Sequence, residues 1–327
     1  MLPISVVICA YTERRWDDLL AAIASVRQQS SPPFEVIVVV DHNDDLLERL
    51  RAHMSAVNRS DVNIVANTQS RGLAGARNTG VALATGAVVA FIDDDAVADT
   101  DWLKYLGAAY EHDDGVLGVG GAIEPVWQHG RPAWFPAEFD WVVGCTYRGM
   151  PEFAGPVRNL IGANMSFRRD VFDVVGGFNE GVGRVGAVPL GCEETEICIR
   201  AGSRWPGRSF RYEPQARVQH QVPADRGRWS YFRARCYGEG LSKAAVSRLA
   251  GATRGLESER AYVRRTLPRG VVRGLNDGMR ADRSGLRRAG AIMLGLATTT
   301  AGYARGRIDR RVQLPAPEIA SHTQKGT

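Results

Sequence analysis

The sequence predicts an α/β fold, a mostly parallel sheet flanked by helices, followed by a basic helical C-terminal extension. Three observations carry that expectation. Short apolar runs alternate with stretches of helical period through the first hundred residues. Polar and often acidic residues follow the apolar runs, as they do at the carboxyl edge of a parallel sheet, where ligands sit. Charge is also sorted along the chain: residues 1–225 hold 29 Asp and Glu against 20 Lys and Arg, a net of −9, whereas residues 226–311 hold 6 against 20, a net of +14.

Element by element, ISVVI (4–8) is a continuous apolar run, as in a strand buried on both faces. It lacks a basic leader and is short, so it reads as a first strand and not as a signal peptide. Trp16 to Gln29 places Leu19, Leu20, Ile23 and Val26 at helical spacing, and Pro32-Pro33 ends the stretch. EVIVVV (35–40) is a second buried strand. A helix from about Leu46 to Met54 leads to a shorter strand, VNIVA (62–66); Gly75 to Ala84 is a further helix and AVVAFI (87–92) a further strand.

Beyond residue 115, VLGVGGAIEP reads as a strand, and the aromatic, proline-rich segment Trp127 to Trp141 as a shaped loop whose tryptophans pack. Residues 157–172 run into a short helix. After Gly176-Gly177-Phe178 a glycine-rich loop leads to a helix in GCEETEICIRAGSRW (191–205), and SFRYE and ARVQH read as two strands ending at His220. From Trp229 onward the pattern is helical and arginine-rich, and the tail 312–327 is expected to be disordered. The least polar stretch there, residues 289–303, contains three threonines and is too short to span a bilayer. It suits a membrane surface.

Composition narrows the class. A chain of 327 residues suits a large α/β domain with an extension. Hydrophobic content of 44% and charged content of 24% exclude a fibrous or wholly disordered chain. Five cysteines without a C-x-x-C pair exclude a zinc ribbon and a disulfide framework, which fits a reducing cytosol.

The strongest local chemical signal is Asp93-Asp94-Asp95, three carboxylates delivered by a buried strand into a turn. Alternate residues, Asp93 and Asp95, can point the same way. Converging carboxylates repel each other unless a cation joins them, and Mg²⁺ or Mn²⁺ prefers such oxygen ligands together with substrate phosphates. An isolated acidic turn capping a helix is the plainer reading; placement at a strand end beside other polar strand ends favours a metal–phosphate site.

The patterns ISVVICAYTERR, EVIVVVD and RGLAGARNTGVALATGAVVAFIDDD, followed in order by IGANMSFRR, GGFNE and CEETEICIR, resemble the family 2 glycosyltransferases of the GT-A fold. The resemblance covers about residues 3–222. It implies transfer of a sugar from a nucleotide-diphosphate donor, most commonly UDP-linked, to an acceptor hydroxyl with inversion, and Mn²⁺ or Mg²⁺ as cofactor. It implies a GT-A domain over 1–225, with a nucleotide-binding half (1–115) and an acceptor half (116–225). Ala10, Tyr11 and Glu13 would line the base and ribose pocket, Asp41 would bond the base, and Arg71 and Arg77 match basic positions near the nucleotide. Asp93 would approach the ribose with Asp94 beside it, Asp95 would bind the metal, and His220 matches a histidine that ligates it in some members. Gly162 and Asn164 would lie on the donor-sugar or acceptor side. Where the family commonly has Glu-Asp, this chain has Glu193-Glu194, so Glu194 matches the base, with Glu193 as the alternative.

Other readings frame these expectations. The glutamates at 193, 194 and 196 also suit a helix N-terminus electrostatically, and Gly72, Gly75 and Gly80 do not form a dinucleotide fingerprint. A sugar-phosphate nucleotidyltransferase would need glycines just after the first strand, which CAYTERR lacks; an inert nucleotide-sugar-binding protein would not need the retained carboxylates. The basic region 226–311 has no nucleic-acid motif and no interleaved aromatics, so nucleic acid is not expected. Family context makes a glycan or polyprenyl-linked acceptor the expected partner, with the arginines near anionic head groups. The chain would then be cytoplasmic, or peripheral at the inner face of the cell membrane. Asp225 stands where the processive members' Q-x-x-R-W motif has Gln, which favours single addition over polymer synthesis.

Overall fold

The structure is a computed structural model and describes residues 2–57, 61–180, 193–250, 260–280 and 282–308. The parallel half forms as its apolar runs predict. Strands β1 (Ile4–Ala10), β2 (Glu35–Val40), β3 (Val62–Ala66) and β4 (Val88–Asp93) lie in the order β3-β2-β1-β4, all neighbours parallel. Alternate residues enter two cores, Val6, Ile8 and Val38 on one face and Val7, Ile37 and Val39 on the other. That is why the runs read as continuous and not as alternating.

Helices α1 (Trp16–Arg27), α2 (Asp44–Ala56) and α3 (Leu73–Leu83) connect the strands. Helix α2 begins two residues before the expected Leu46, because the Asn43 side chain accepts the Leu46 N–H at 3.0 Å and caps it. Helix α1 is preceded by a 3₁₀ turn, Glu13–Arg15, whose Thr12 cap accepts from Arg14 N at 3.4 Å.

Past β4 the sheet becomes mixed. Strand β5 (Ala96–Ala98), helix α4 (Trp102–His112), β6 (Val116–Trp127), β7 (Gly155–Val157) and β8 (Asn164–Arg168) lead to helices α5 (Arg169–Val175) and α6 (Glu193–Arg204), then β9 (Ser209–Val222). The sheet continues β4-β8-β6-β9-β5, with β7 also on β9. β8 runs antiparallel to both β4 and β6. The two strands expected at 209–220 are one strand. Its register against β6 jumps from Gly121↔Glu213 to Ala122↔Arg217, so Pro214 lies in a bulge instead of ending the strand.

The arginine-rich region folds as α7 (Trp229–Ala250), a π-helical turn (Tyr262–Thr266), α8 (Leu267–Met279) and α9 (Arg283–Ile308). Helices α7 and α9 cross backbone to backbone at Gly240 and Gly302. A Cβ at Gly240 would stand 2.1 Å from the Thr299 carbonyl oxygen, and one at Gly302 would stand 2.2 Å from that of Tyr237. The tryptophans pack: Trp134 stacks on Trp229 with ring centroids 3.7 Å apart. Among the described residues no helix is long and apolar enough to cross a membrane. The tail 312–327, most of the glycine-rich loop and Cys192 lie outside the described residues.

Candidate active site

The acidic turn is completed by strand pairing. Strand β4 ends at Asp93, and β5, one turn later, pairs antiparallel with β9 so that Ala96 faces His220. The Gln221 N–H donates to the Asp95 carbonyl at 2.8 Å and fixes that register. His220 Nε2 then lies 3.1 Å from Asp95 Oδ1, both side chains 3% exposed. One donor atom each from Asp93, Asp95 and His220 falls within 4.8 Å of the others.

Three features fit a divalent cation here. Asp95 Oδ1 is buried, with His220 Nε2 3.1 Å away but no well-formed hydrogen bond. A buried orphan acceptor is costly unless something occupies it. With a cation bound, a proton on Nδ1, which lies 3.7 Å from Cys145 Sγ, would leave the Nε2 lone pair of His220 to face it. Two carboxylates and an imidazole form a hard-to-borderline donor set that suits Mn²⁺ or Mg²⁺.

Arginines surround this cluster. Arg15 Nη1 lies 2.6 Å from Asp94 Oδ1 and 3.1 Å from Asp95 Oδ2, and Arg226 Nη2 lies 3.7 Å from Asp95 Oδ2. Burial alone would raise the Asp95 carboxyl, but His220, Arg15 and Arg226 outweigh it and hold it at about 2. Burial wins at Asp94, pushed up to about 7 against the pull of Arg15, with Oδ2 unpartnered. Asp93 is also raised, by burial first, with Arg77 opposing.

A second acidic group lies across Arg77. This arginine is 2% exposed in α3. Its Nη1 donates to Glu193 Oε1 at 3.2 Å, and its Nη2 lies 3.7 Å from Asp93 Oδ1 and donates to the Gly162 carbonyl at 3.3 Å. A Cβ at Gly162 would stand 2.7 Å from Nη2, so that position admits the guanidinium because it has no side chain. Glu193 and Glu194 open α6, where the helix dipole favours them. The Glu194 carboxyl is pushed up to about 8 by burial and then by Glu193, with Arg77 opposing.

The third part is an open polar cavity of about 540 Å³ beyond the ends of β1 and β2, lined by Tyr11, Asp41, His42, Asn43, Asp44, Asp45 and Arg71. Asp41 is fixed there by Asn67 Nδ2 at 2.7 Å and the Gly72 N–H at 2.9 Å, and Arg71 donates to the His42 carbonyl at 3.2 Å. Tyr11, Asp41 and Arg71 are therefore together. Two expected neighbours differ. The Ala10 side chain is in the core, and its carbonyl accepts the Asp41 N–H at 2.7 Å, so it enters only as backbone. Glu13 is exposed in the 3₁₀ turn, outside that lining.

Asn164 lies inside the sheet. It is fully buried, accepts from Trp102 Nε1 at 2.8 Å, and donates to the carbonyls of Ala122 and Ala216 at 2.9 and 2.8 Å. Both of its amide N–H bonds to these carbonyls tie β6 and β9 together at the bulge, so its side chain is held by the sheet. Sequence reasoning also missed Arg15, Arg226 and Cys145. Arg15 stands in the quoted CAYTERR motif and Arg226 begins the basic region, so residue type was visible while the pairing with Asp95 was not.

The sequence matches the family model described as glycosyl transferase family 2 over residues 5–176. It is 37% identical over 248 residues to glucosyl-dolichyl phosphate glucuronosyltransferase of Haloferax volcanii, covering 76% of this chain and 78% of that protein. Its fold is similar to mannosyltransferase PcManGT from Pyrobaculum calidifontis, solved with GDP-Man and Mn²⁺ (TM-score 0.60, 16% identity, 91% of this chain and 87% of that one). It is also similar to GalNAc-T7 with UDP, GalNAc and Mn²⁺ (TM-score 0.55, 18% identity, 80% of this chain), of which it spans about half, 54%.

Proposed function

Because the chain belongs to glycosyl transferase family 2 and is a glycosyltransferase, we propose that it moves a sugar from a UDP-linked donor to a hydroxyl of a glycan or lipid-linked saccharide, with inversion at the anomeric carbon. The observation that carries this reading is the buried Asp95–His220 contact with its unpartnered carboxylate oxygen, at the strand-end edge beside the Asp41 cavity. Asp93, Asp95 and His220 would hold Mn²⁺ or Mg²⁺, which when bound neutralises charge on a departing diphosphate.

The chain's own groups have separable tasks. Tyr11, Asp41 and Arg71 bind and orient the base and ribose. Arg15 and Arg226, already against Asp94 and Asp95, offer charge-assisted hydrogen bonds to phosphate oxygens. Glu194 takes the proton of the acceptor hydroxyl as that oxygen attacks; its raised carboxyl matches a base working near neutrality. Glu193 and Arg77 hold the start of α6 beside the acidic turn. The Haloferax relative, by its name, acts on glucosyl-dolichyl phosphate, which supports a lipid-linked acceptor. Residues 1–225 would then carry the donor and the chemistry, and 226–311 would close the acceptor side.

The test is a donor panel of UDP-glucose, UDP-glucuronate, UDP-N-acetylgalactosamine and GDP-mannose, assayed for hydrolysis with Mn²⁺ and with chelator. Mn²⁺-dependent turnover of a UDP-sugar is expected. Turnover of GDP-mannose alone would overturn the UDP assignment, and undiminished turnover in chelator would overturn the metal's role.

A further inference from the structure

Helices α8 and α9 are built inside out. A helix on the surface of a globular domain normally turns its apolar stripe to the core and its polar residues to water. In α8 the inner side is glycine: Gly270, Gly274 and Gly278 recur every four residues. A Cβ would stand 2.7 Å from Glu138 Oε1 at Gly270, 2.6 Å from the Gly285 carbonyl oxygen at Gly274, and 2.6 Å from Leu286 Cδ2 at Gly278. The large apolar residues lie on another side. Val272, Leu275 and Met279, spaced i, i+3, i+7, are all exposed, Met279 to 80%.

Helix α9 repeats the arrangement. Its buried residues are all glycine or alanine apart from Ile292, whereas Leu286, Met293, Leu294 and Ile308 are exposed. The two outer stripes meet. Leu286 lies against Gly278, which is one turn from Leu275 on α8. An exposed apolar surface of this extent marks an interaction site.

Charge identifies what it meets. Residues 267–308 hold eight arginines and two aspartates, and both aspartates, Asp277 and Asp282, lie 2.8 Å from Arg288. Arg269, Arg280, Arg283 and Arg287 are exposed. Arg269 is one turn from Val272, and Arg283 one turn from Leu286, so solvated guanidinium groups border the apolar stripes. A second copy of the chain suits this face poorly, because a two-fold contact would bring two sets of arginines together. An anionic lipid surface suits both parts: apolar side chains enter the acyl boundary and arginines meet phosphates.

We propose that the outer side of the α8–α9 hairpin is a membrane-docking surface for anionic lipid. The helices lie along the bilayer, since neither is long and apolar enough to cross it. Their inner side holds the acceptor half: Arg273 Nη1 donates to Glu138 Oε1 at 3.3 Å, and Arg288 Nη1 donates to the Ala133 carbonyl at 3.2 Å. Docking therefore places residues 133–138 one helix away from the lipid. It depends on neither the donor nor the base proposed above.

Co-sedimentation of the full chain with vesicles tests this, at about 0.15 M salt so that long-range attraction is screened. Vesicles of equal parts phosphatidylcholine and phosphatidylglycerol should bind the chain at least tenfold more tightly than phosphatidylcholine alone. Leu275→Glu with Met279→Glu should weaken binding at least tenfold. Replacing Arg269, Arg280, Arg283 and Arg287 together by Gln should remove the preference for anionic lipid. All six residues are exposed, so both variants should keep the wild-type urea midpoint and UDP–Mn²⁺ affinity. Absent binding, or equal binding to both vesicles, overturns the proposal. So does undiminished binding by the Leu275/Met279 variant, which would mean adsorption of a basic chain without insertion. A wild-type dimer in sedimentation velocity that this variant converts to monomer would give the face to a second copy and also overturn it. Failure of the wild-type chain to bind UDP–Mn²⁺ would strike the proposed function alone.

Discussion

Two acidic groups face each other across Arg77, and the protein treats them in opposite ways. Around Asp95, His220, Arg15 and Arg226 overcome burial and hold the carboxyl at about 2, so it stays ionised throughout the physiological range. At Glu194, burial and a neighbouring glutamate prevail, and the carboxyl rises to about 8. The first group is locked by a strand pair, the second opens a helix. On the proposed reading, the difference lets one cleft keep a permanent anion for a cation and, across a single guanidinium, a carboxylate that accepts a proton.

That contrast can be broken one side at a time. Replacing Asp95 by Ala should remove transfer and donor hydrolysis together, by on the order of 10³-fold or more, since several kcal/mol of charge stabilisation depends on the cation. Circular dichroism should stay native, and retained turnover in this variant would show that the acidic turn is not part of the chemistry. Glu194→Gln should lower kcat by about 10²–10⁴-fold while leaving UDP–Mn²⁺ affinity at the wild-type value. If Glu193→Gln alone has that kinetic effect, the base is Glu193.

Arg77→Met attacks the link. Leaving Glu193 and Asp93 without their buried partner should cost about 3–5 kcal/mol of stability, read as a lower urea midpoint. A midpoint within error of wild type would mean that the two groups are held independently. The pH profile sharpens the comparison with the smallest change. As the proposed base, Glu194 would have to be unprotonated, so kcat/KM should rise about tenfold per pH unit up to about 8 and then level off. A profile already flat from pH 6 would place the working carboxyl near its ordinary value.

Local pattern made part of this legible. EVIVVV and VNIVA fold as strands over the residues expected, the first because a strand buried on both faces is written as an unbroken apolar run, the second as a half-exposed strand at the sheet edge. The acidic turn could be placed at a strand end for the same reason. What sequence could not show was pairing between distant segments. His220 meets Asp95 because three residues of β5 lie on β9, and Arg15 and Arg226, far apart in sequence, both reach the Asp95 carboxylate. Asn164 sits in a motif that invited a binding role, yet its amide closes the bulge that also admits Pro214. A polar residue flanked by small ones looks the same in sequence whether it serves a ligand or the backbone.

The claim on which the rest depends is that Asp93, Asp95 and His220 together hold a divalent ion that grips a diphosphate. Calorimetric titration of UDP into the wild-type chain and Asp95→Asn, each with Mn²⁺ and with chelator, tests it directly. Wild type should bind UDP at least tenfold more tightly with Mn²⁺, and Asp95→Asn should show the weak metal-free affinity in both conditions. Equal affinities in all four titrations would contradict it.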